Sequence, residues 1–167
     1  MNPLDKLSLS NIWHLLATGF GSGLSPVIPG TMGTLAAVPF YLLLVQAPLP
    51  VYLLLVVLSC FIGVKICQVT SDDMGVHDHG SIVWDEFAGF WITMSIVPLF
   101  KLPVTEWKWL IAGFILFRFF DMVKPWPIGW LDKRVHGGLG IMLDDIVAGV
   151  MSAIALYLIG RYAGWLA

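Results

Sequence analysis

A long apolar stretch, which begins near Gly33 and is split by Pro48 and Pro50, limits what this chain can fold into more than any other feature. Each part approaches the roughly 20 apolar residues that an α-helix needs to cross a bilayer. The composition agrees, since 58% of the 167 residues are hydrophobic and only 12% are charged, against about 45–50% and about 25% in soluble domains. The sequence therefore predicts a small membrane protein.

Five apolar segments are candidates for membrane-spanning helices: residues 31–47, 51–69, 86–99, 109–120 and 146–165. The third and fourth are short when only uncharged residues are counted, so charged groups are expected at their ends. We predict an all-α, polytopic membrane helix bundle with four to five spans. The length fits a single membrane-embedded domain over residues 1–167.

Lysine and arginine predict the orientation of the bundle, because they accumulate in cytoplasmic loops. Five spans place the N-terminus, residues 70–85 and residues 121–145 on one side of the membrane. That side carries six of the nine basic residues, so the N-terminus is predicted to lie in the cytoplasm. A formal net charge of −2 argues against a nucleic-acid partner, which requires clustered basic residues.

Ten of the eleven acidic residues fall on this same predicted side of the membrane. Carboxylates at membrane depth are costly and usually functional. Two acidic pairs, Asp85–Glu86 and Asp144–Asp145, are each expected to open a helix, where capping and compensation of the helix dipole are the ordinary explanation. Two pairs together with Asp121 on one side instead favour a metal or phosphate site.

Small residues next to these pairs predict the direction in which the carboxylates point. Gly89 follows Asp85 by four residues, and Gly149 follows Asp145 by four residues, so each glycine lies on the same helix face as its aspartate. Small residues with this spacing allow helices to approach closely. Asp85 and Asp145 are therefore expected to point into the bundle.

The acidic cluster is predicted to need counter-charge, because so many carboxylates cannot all ionise in a low dielectric without it. Hard oxygen ligands favour Mg²⁺ or Mn²⁺. Arg118 lies one turn before Asp121 and Lys124 lies just beyond it. A site with acids, a divalent cation and two basic residues suits a phosphate substrate.

Two further segments carry polar groups. Residues 19–34, GFGSGLSPVIPGTMGT, predict a Gly/Pro-rich loop that leads into a helix, and backbone N–H groups in such loops bind anions. A tight turn or a re-entrant segment is the structural alternative. In GVHDHG (75–80), a zinc site would lack a third ligand, so a polar loop with one histidine contacting the site is the favoured interpretation. A short interfacial helix over residues 10–16, capped by Ser10 or Asn11, is expected at the N-terminus.

Motif spacing excludes three other phosphatase mechanisms. No cysteine is followed six residues later by arginine, and neither Asp-x-Asp nor Gly-x-Ser-x-Gly occurs. Attack on phosphorus by water with the assistance of a metal, or by one carboxylate, remains.

Long motifs resemble one known family. They are NIWHLL (11–16), GFGSGLSPVIPGTMGT (19–34), DMGVHDHGSIVWDEFAGFWIT (73–93) and FRFFDMVKPWPIGWLDKRVHGGLGIMLDDIVAGV (117–150). Over nearly its whole length the chain resembles the bacterial phosphatidylglycerophosphatase A family. The resemblance implies a Mg²⁺-dependent, multi-pass enzyme of the inner membrane, which dephosphorylates phosphatidylglycerophosphate in the last step of phosphatidylglycerol synthesis. Its partners are then the phospholipid substrate and membrane lipid, and its active site faces the cytoplasm.

With this resemblance, roles can be assigned to the candidate residues. The predicted metal ligands are Asp85, Glu86, Asp144 and Asp145, and Asp121 is a further candidate. Arg118 and Lys124 are expected to bind the phosphate oxygens. Backbone N–H groups around Gly30, Thr31 and Gly33 are expected to donate to the anion, and His79 is a candidate proton donor to the glycerol oxygen. The predicted catalytic residues are thus Asp85, Glu86, Asp121, Asp145 and His79.

Two other functions are compatible with parts of this pattern. A small ion transporter would also contain intramembrane carboxylates and broken helices, but its polar groups should extend through the depth of the membrane. Another lipid-phosphate enzyme is the second alternative. The D-x₂-D-G-x₂-A-R pattern of the CDP-alcohol phosphotransferases does not occur.

Overall fold

The structure is a computed structural model, which describes residues 3–104 and 106–165. Within these residues it is all-helical and contains no β-strand. The α-helices of the described residues are α1 (Ile12–Ala17), α2 (Pro29–Leu44), α3 (Leu49–Met74), α4 (Trp84–Met94), α5 (Ile96–Leu99), α6 (Trp107–Val123), α7 (Ile128–Asp132) and α8 (Gly137–Tyr162). The predicted all-α class is confirmed for this part of the chain.

Among the helices of the described residues, α3 and α8 are long and apolar enough to cross a membrane. Each has 26 residues, which corresponds to about 39 Å. The other predicted spans are shorter helices: α2 has 16 residues, α4 has 11 and α6 has 17. The structure thus identifies two candidate spans where the sequence predicts four to five.

The last helix begins nine residues earlier than the predicted segment 146–165. The prediction that Asp144 and Asp145 open this helix was wrong. Gly138 lies directly against the backbone of α3 at Val64, where any side chain would collide with the Val64 carbonyl. The glycine therefore permits close packing of α8 on α3. As a result, Asp144 and Asp145 lie in the interior of α8 instead of opening it.

The glycine- and proline-rich stretch ends earlier than predicted. Pro29 is the first residue of α2, a position where proline loses no helical hydrogen bond. Gly30, Thr31 and Gly33 therefore belong to the first turns of a helix and not to a loop. At the N-terminus the predicted short helix and its cap are confirmed, because Asn11 Oδ1 accepts a hydrogen bond from the Trp13 N–H (3.0 Å) and caps α1.

α1 is fixed to α3 by a buried histidine. The Ser8 N–H donates to His14 Nδ1 at 3.0 Å, so the other ring nitrogen carries the proton. His14 Nε2 therefore donates to Asp73 Oδ2, 2.9 Å away on α3. This pair holds the N-terminal segment against the end of the bundle where α3 ends.

α4 is the centre of the bundle and packs against α2, α3, α6 and α8. Phe87 and Phe90 are fully buried in the apolar core around it. The approach to α8 is closest at two glycines: a side chain on Gly149 would lie 2.5 Å from the Gly89 carbonyl oxygen. The predicted close approach of helices at these two residues is thereby confirmed.

The starts of three helices meet at one end of the bundle. The Val83 N–H, just before α4, donates to the Ala17 carbonyl (2.7 Å), and Gly33 of α2 lies against the Val83 side chain. The Gly137 N–H, at the start of α8, donates to His77 Nε2 (2.8 Å) in the loop that follows α3. The starts of α2, α4 and α8 therefore lie together, near the end of α3.

Candidate active site

Three carboxylates form a buried cluster at this end of the bundle. Asp85 and Glu86 come from the first turn of α4, and Asp145 comes from α8. One oxygen from each lies within 4.8 Å of the others. Asp85, Glu86 and Asp145 are only 7%, 8% and 4% exposed, respectively. The close packing of α4 on α8 brings together carboxylates that are 59 residues or more apart in the sequence.

The cluster lacks the donors that buried carboxylates require. Asp85 Oδ1, Glu86 Oε2 and Asp145 Oδ2 have no hydrogen-bond partner among the described residues. Buried charges are normally paired or coordinate a metal, because an isolated charge in a low dielectric is costly. Three carboxylate oxygens in this arrangement are hard ligands of the kind that Mg²⁺ prefers. The residues therefore fit a divalent cation.

One guanidinium group borders the cluster. Arg118 Nη1 forms an ion pair with Asp121 Oδ2 at 2.7 Å, one turn further along α6, and lies 3.7 Å from Glu86 Oε1. The same nitrogen donates to Thr34 Oγ1 of α2 at 3.5 Å. Arg118 Nε is buried and has no hydrogen-bond partner within the part of the chain that the structure describes. The guanidinium thus joins α2, α4 and α6 and keeps donor capacity for an anion.

The first turn of α2 closes the site on another side. A side chain at Gly30 would collide with Glu86 Oε1 and would lie 3.1 Å from Arg118 Nη2, so glycine permits this close approach. The amides of Gly30 and Thr31 lie in the first turn, where a helix provides no carbonyl acceptor. Gly33 is different, because it packs against Val83 and not against the carboxylates.

Asp144 is separated from the other three predicted metal ligands. Successive residues of an α-helix point about 100° apart, so Asp144 and Asp145 face different neighbours. The Lys124 ammonium donates to Asp144 Oδ2 (3.0 Å) and to Asp132 Oδ1 (2.7 Å). The structure therefore brings together three of the four predicted ligands and places Asp144 in an ion pair with Lys124.

These ion pairs shift the pKa values of Lys124 and Asp132, which lie outside the candidate spans. Burial by itself would lower the pKa of Lys124, but the hydrogen bonds to Asp132 and Asp144 outweigh burial and raise that pKa. The hydrogen bond from Lys124 in turn lowers the pKa of Asp132. Lys124 is consequently a charged link between the end of α6, α7 and α8.

The remaining predicted residues lie around the cluster at different distances. The Asp121 carboxyl is bound to Arg118 and also approaches Asp145. His79 is half-buried in the loop before α4, and its Nδ1 accepts from the Ser81 N–H at 3.2 Å. The structure shows no contact between His79 and the three carboxylates. Its position is that of a loop residue close to the start of α2, because Gly80 faces Pro29.

Sequence reasoning missed two residues that hold the site together. Thr34 connects α2 to Arg118, and its hydroxyl also donates to the Gly30 carbonyl at 3.0 Å. Thr34 follows Gly30 by four residues, and this spacing in the sequence indicates that Thr34 and Gly30 share one helix face. Asp132, the second partner of Lys124, had no such signal, because α7 was not predicted.

Comparisons with known proteins point in one direction. The model of a family described as Phosphatidylglycerophosphatase A matches residues 15–160. A protein of Escherichia coli K12 named phosphatidylglycerophosphatase A is 60% identical over 158 residues, which are 95% of this chain and 89% of that protein. A Haemophilus influenzae protein of the same name is 45% identical over 159 residues, covering 95% and 94%.

A third relative carries a different name. This protein of Bacteroides thetaiotaomicron, provisionally named a phosphatidylinositol-3-phosphatase, is 40% identical over 156 residues, covering 87% of this chain and 94% of that protein. All three names describe a phosphatase that acts on a phospholipid. No solved structure matches this chain.

Proposed function

The chain belongs to the phosphatidylglycerophosphatase A family, and we propose that it removes the terminal phosphate of phosphatidylglycerophosphate to give phosphatidylglycerol and inorganic phosphate. Membership confirms the resemblance of the sequence motifs and the prediction that the chain is an enzyme, a phosphatase. The observation that carries the proposal is the buried Asp85–Glu86–Asp145 cluster beside Arg118.

We propose Mg²⁺ as the cofactor, held by Asp85, Glu86 and Asp145. The support is the set of carboxylate oxygens that lack a hydrogen-bond partner among the residues described, because such oxygens are hard ligands. Bound there, Mg²⁺ would supply positive charge that polarises the phosphoryl group. Asp144 is not included, because Lys124 neutralises it.

In the proposed substrate complex, Arg118 binds the phosphate oxygens. Its Nε has no hydrogen-bond partner in residues 3–104 and 106–165, and Asp121 and Thr34 hold the guanidinium in place from two sides. The first-turn amides at Gly30 and Thr31 add backbone donors at a helix N-terminus, where negative charge is favoured. Lys124 is a positioning residue, because both of its acidic partners already use its ammonium group.

The proposed chemical step is an in-line displacement at phosphorus. A water molecule gives a proton to one of the three carboxylates, its oxygen bonds to phosphorus, and the bond from phosphorus to the glycerol oxygen breaks. The glycerol oxygen takes the electron pair and then a proton, for which His79 is the proposed donor.

Attack by an aspartate carboxylate, followed by hydrolysis of the resulting acyl phosphate, uses the same residues. Acid quenching with substrate labelled in the terminal phosphate separates the two routes. Only the aspartate route leaves a labelled phosphate on the protein.

We propose a multi-pass location in the bacterial inner membrane, with the site towards the cytoplasm. The candidate spans α3 and α8 support membrane insertion, and the distribution of basic residues supports the orientation. A lipid phosphomonoester then lies at the headgroup level, where the carboxylates meet. The position of the buried carboxylates at one end is unfavourable for ion transport, because a conduction path would need polar groups along its whole length.

The test is phosphate release from phosphatidylglycerophosphate by the detergent-purified protein, with Mg²⁺ and with EDTA. We expect release with Mg²⁺, none with EDTA, and none from Asp85→Asn. The matched control is Glu106→Gln, whose carboxylate forms an ion pair with Lys108 outside the site. Normal activity of Asp85→Asn would refute the ligand assignment, release in EDTA would refute the metal proposal, and no release by the wild type with Mg²⁺ would refute the reaction.

A further inference from the structure

An apolar cleft of about 240 Å³ separates α2 from α6. Both helices pack on α4 but hardly on each other, so a groove is left between them. The groove is lined only by hydrophobic side chains: Leu35, Val38, Leu110, Ile111, Phe114 and Ile115. Leu35 and Ile111 are each about half exposed, at 52% and 47%, so the groove opens sideways.

The α6 wall of this cleft is a continuation of the face that carries Arg118. Ile115 and Phe114 precede Arg118 by three and four residues, and Ile111 and Leu110 precede it by seven and eight. Residues with these spacings share one face of an α-helix. The wall therefore extends about 12 Å from the guanidinium along the helix axis.

The α2 wall shows the same relation to the polar site. Leu35 follows Thr31 by four residues, and Val38 follows Thr34 by four, so the hydroxyl-bearing face becomes the apolar wall. Thr34 contacts Arg118 across the gap between the two helices. The phosphate-binding groups and the walls of the apolar cleft thus lie on the same two helix faces, one after the other along α2 and α6.

We propose that this cleft holds an acyl chain of the lipid phosphomonoester whose phosphate group binds beside Arg118, and that the lipid enters sideways from the bilayer between α2 and α6. This inference rests on the proposed function. The chemistry of the groove matches one amphiphile, with a cationic, donor-rich end and purely apolar walls beyond it. Because lipid tails are as apolar as leucine, the cleft adds little hydrophobic binding energy relative to the bilayer. Its effect is to orient the headgroup against the carboxylates.

The test fills the cleft with a larger side chain. Leu35→Trp and Ile111→Trp each place an indole in the groove, and Leu54→Trp, on an exposed face of α3 (57% exposed), is the matched control. Each protein is assayed on dioleoyl phosphatidylglycerophosphate in mixed micelles and on the dihexanoyl lipid, whose chains reach only part of the groove. We expect the cleft variants to lose about tenfold or more in kcat/KM on the dioleoyl lipid, and to change less than about twofold on the short lipid. The control should behave as the wild type on both.

Each outcome decides between defined possibilities. Equal losses on both lipids, or no loss on either, would overturn the acyl-chain assignment while leaving the phosphatase proposal intact. If the wild type releases phosphate from neither lipid, the proposed function itself fails. A change of oligomeric state in the two cleft variants would assign the groove to a second copy of the chain and overturn the proposal.

A second measurement does not depend on turnover. A lipid phosphomonoester with a diazirine near the middle of its acyl chain is photolysed with the full-length protein, and the cross-linked peptides are identified by mass spectrometry. We expect the label on residues 35–38 and 110–115. Labelling spread evenly over the exposed faces of α3 would overturn the inference.

Discussion

Substitution of Gly30 by alanine should separate activity from stability. The new methyl group would collide with Glu86 Oε1 and would lie 3.1 Å from Arg118 Nη2. Glu86 Oε1 is the end of a flexible side chain, so the carboxylate moves and the backbone stays in place. A displacement of about 1 Å in a catalytic group costs about 100-fold in rate, which is about 2.7 kcal/mol of transition-state stabilisation. Alanine also favours the helix over glycine by up to about 1 kcal/mol.

The assay measures phosphate release with saturating Mg²⁺ and, in parallel, thermal unfolding in detergent. We expect kcat/KM to fall about 100-fold while the midpoint of unfolding is unchanged or higher. Gly80→Ala is the matched control, because the nearest atom to its new methyl group would be Pro29 Cγ at 3.6 Å. Wild-type activity in Gly30→Ala would show that catalysis does not depend on the positions of Glu86 and Arg118 beside Gly30. A lowered midpoint would instead show that the collision is absorbed by the fold.

Three further predictions test the charged groups. Arg118→Lys should lower kcat/KM about 100-fold, because lysine cannot replace a planar, multidentate donor; steady-state kinetics with wild-type values would contradict this role. Lys124→Met should destabilise the protein by about 3 kcal/mol, because Asp144 is then a buried charge without a partner; chemical unfolding measures the loss, and adding Asp144→Asn should restore part of it. The Lys124–Asp132 pair should persist between about pH 4 and pH 10. The lowered pKa of Asp132 contributes stability above the unfolded pKa that is lost as pH falls through the folded one, and the raised pKa of Lys124 contributes stability below its unfolded pKa that is lost in alkali. Unfolding midpoints that vary with pH in the wild type but not in Asp132→Asn, between pH 5 and 9, would contradict this window.

Several features of the protein follow from the sequence because they depend on local chemistry. Apolar segments of sufficient length predict helices suited to a bilayer, and two of them, α3 and α8, meet that criterion. Ser10 and Asn11 predict a cap for α1, because a side-chain oxygen before a helix satisfies a first-turn N–H, and in the structure Asn11 is that cap. Gly89 and Gly149 predict the close approach of α4 and α8, because the absence of a side chain is a property of the residue itself. The long motifs identify the family.

Tertiary packing decides which acidic residues belong to the candidate site. Asp144 and Asp145 are neighbours with the same chemistry, and both qualify as ligands in the sequence. Their side chains point about 100° apart on α8, so the packing of α8 against α4 brings only Asp145 to Asp85 and Glu86, while α7 and the end of α6 bring Lys124 to Asp144.

The start of α8 likewise depends on tertiary packing and not on local sequence alone. The sequence predicts that the last span begins at Ile146, whereas α8 already includes a poor helix former before that point, Gly138. In the structure it is the point where α8 touches α3, and the contact stabilises a helix that local propensity disfavours. The sequence alone thus determines the helical class, the family and the residues that carry charge. Which of those residues face one another depends on the rotation and packing of helices that are far apart in the chain, and only the tertiary structure decides it.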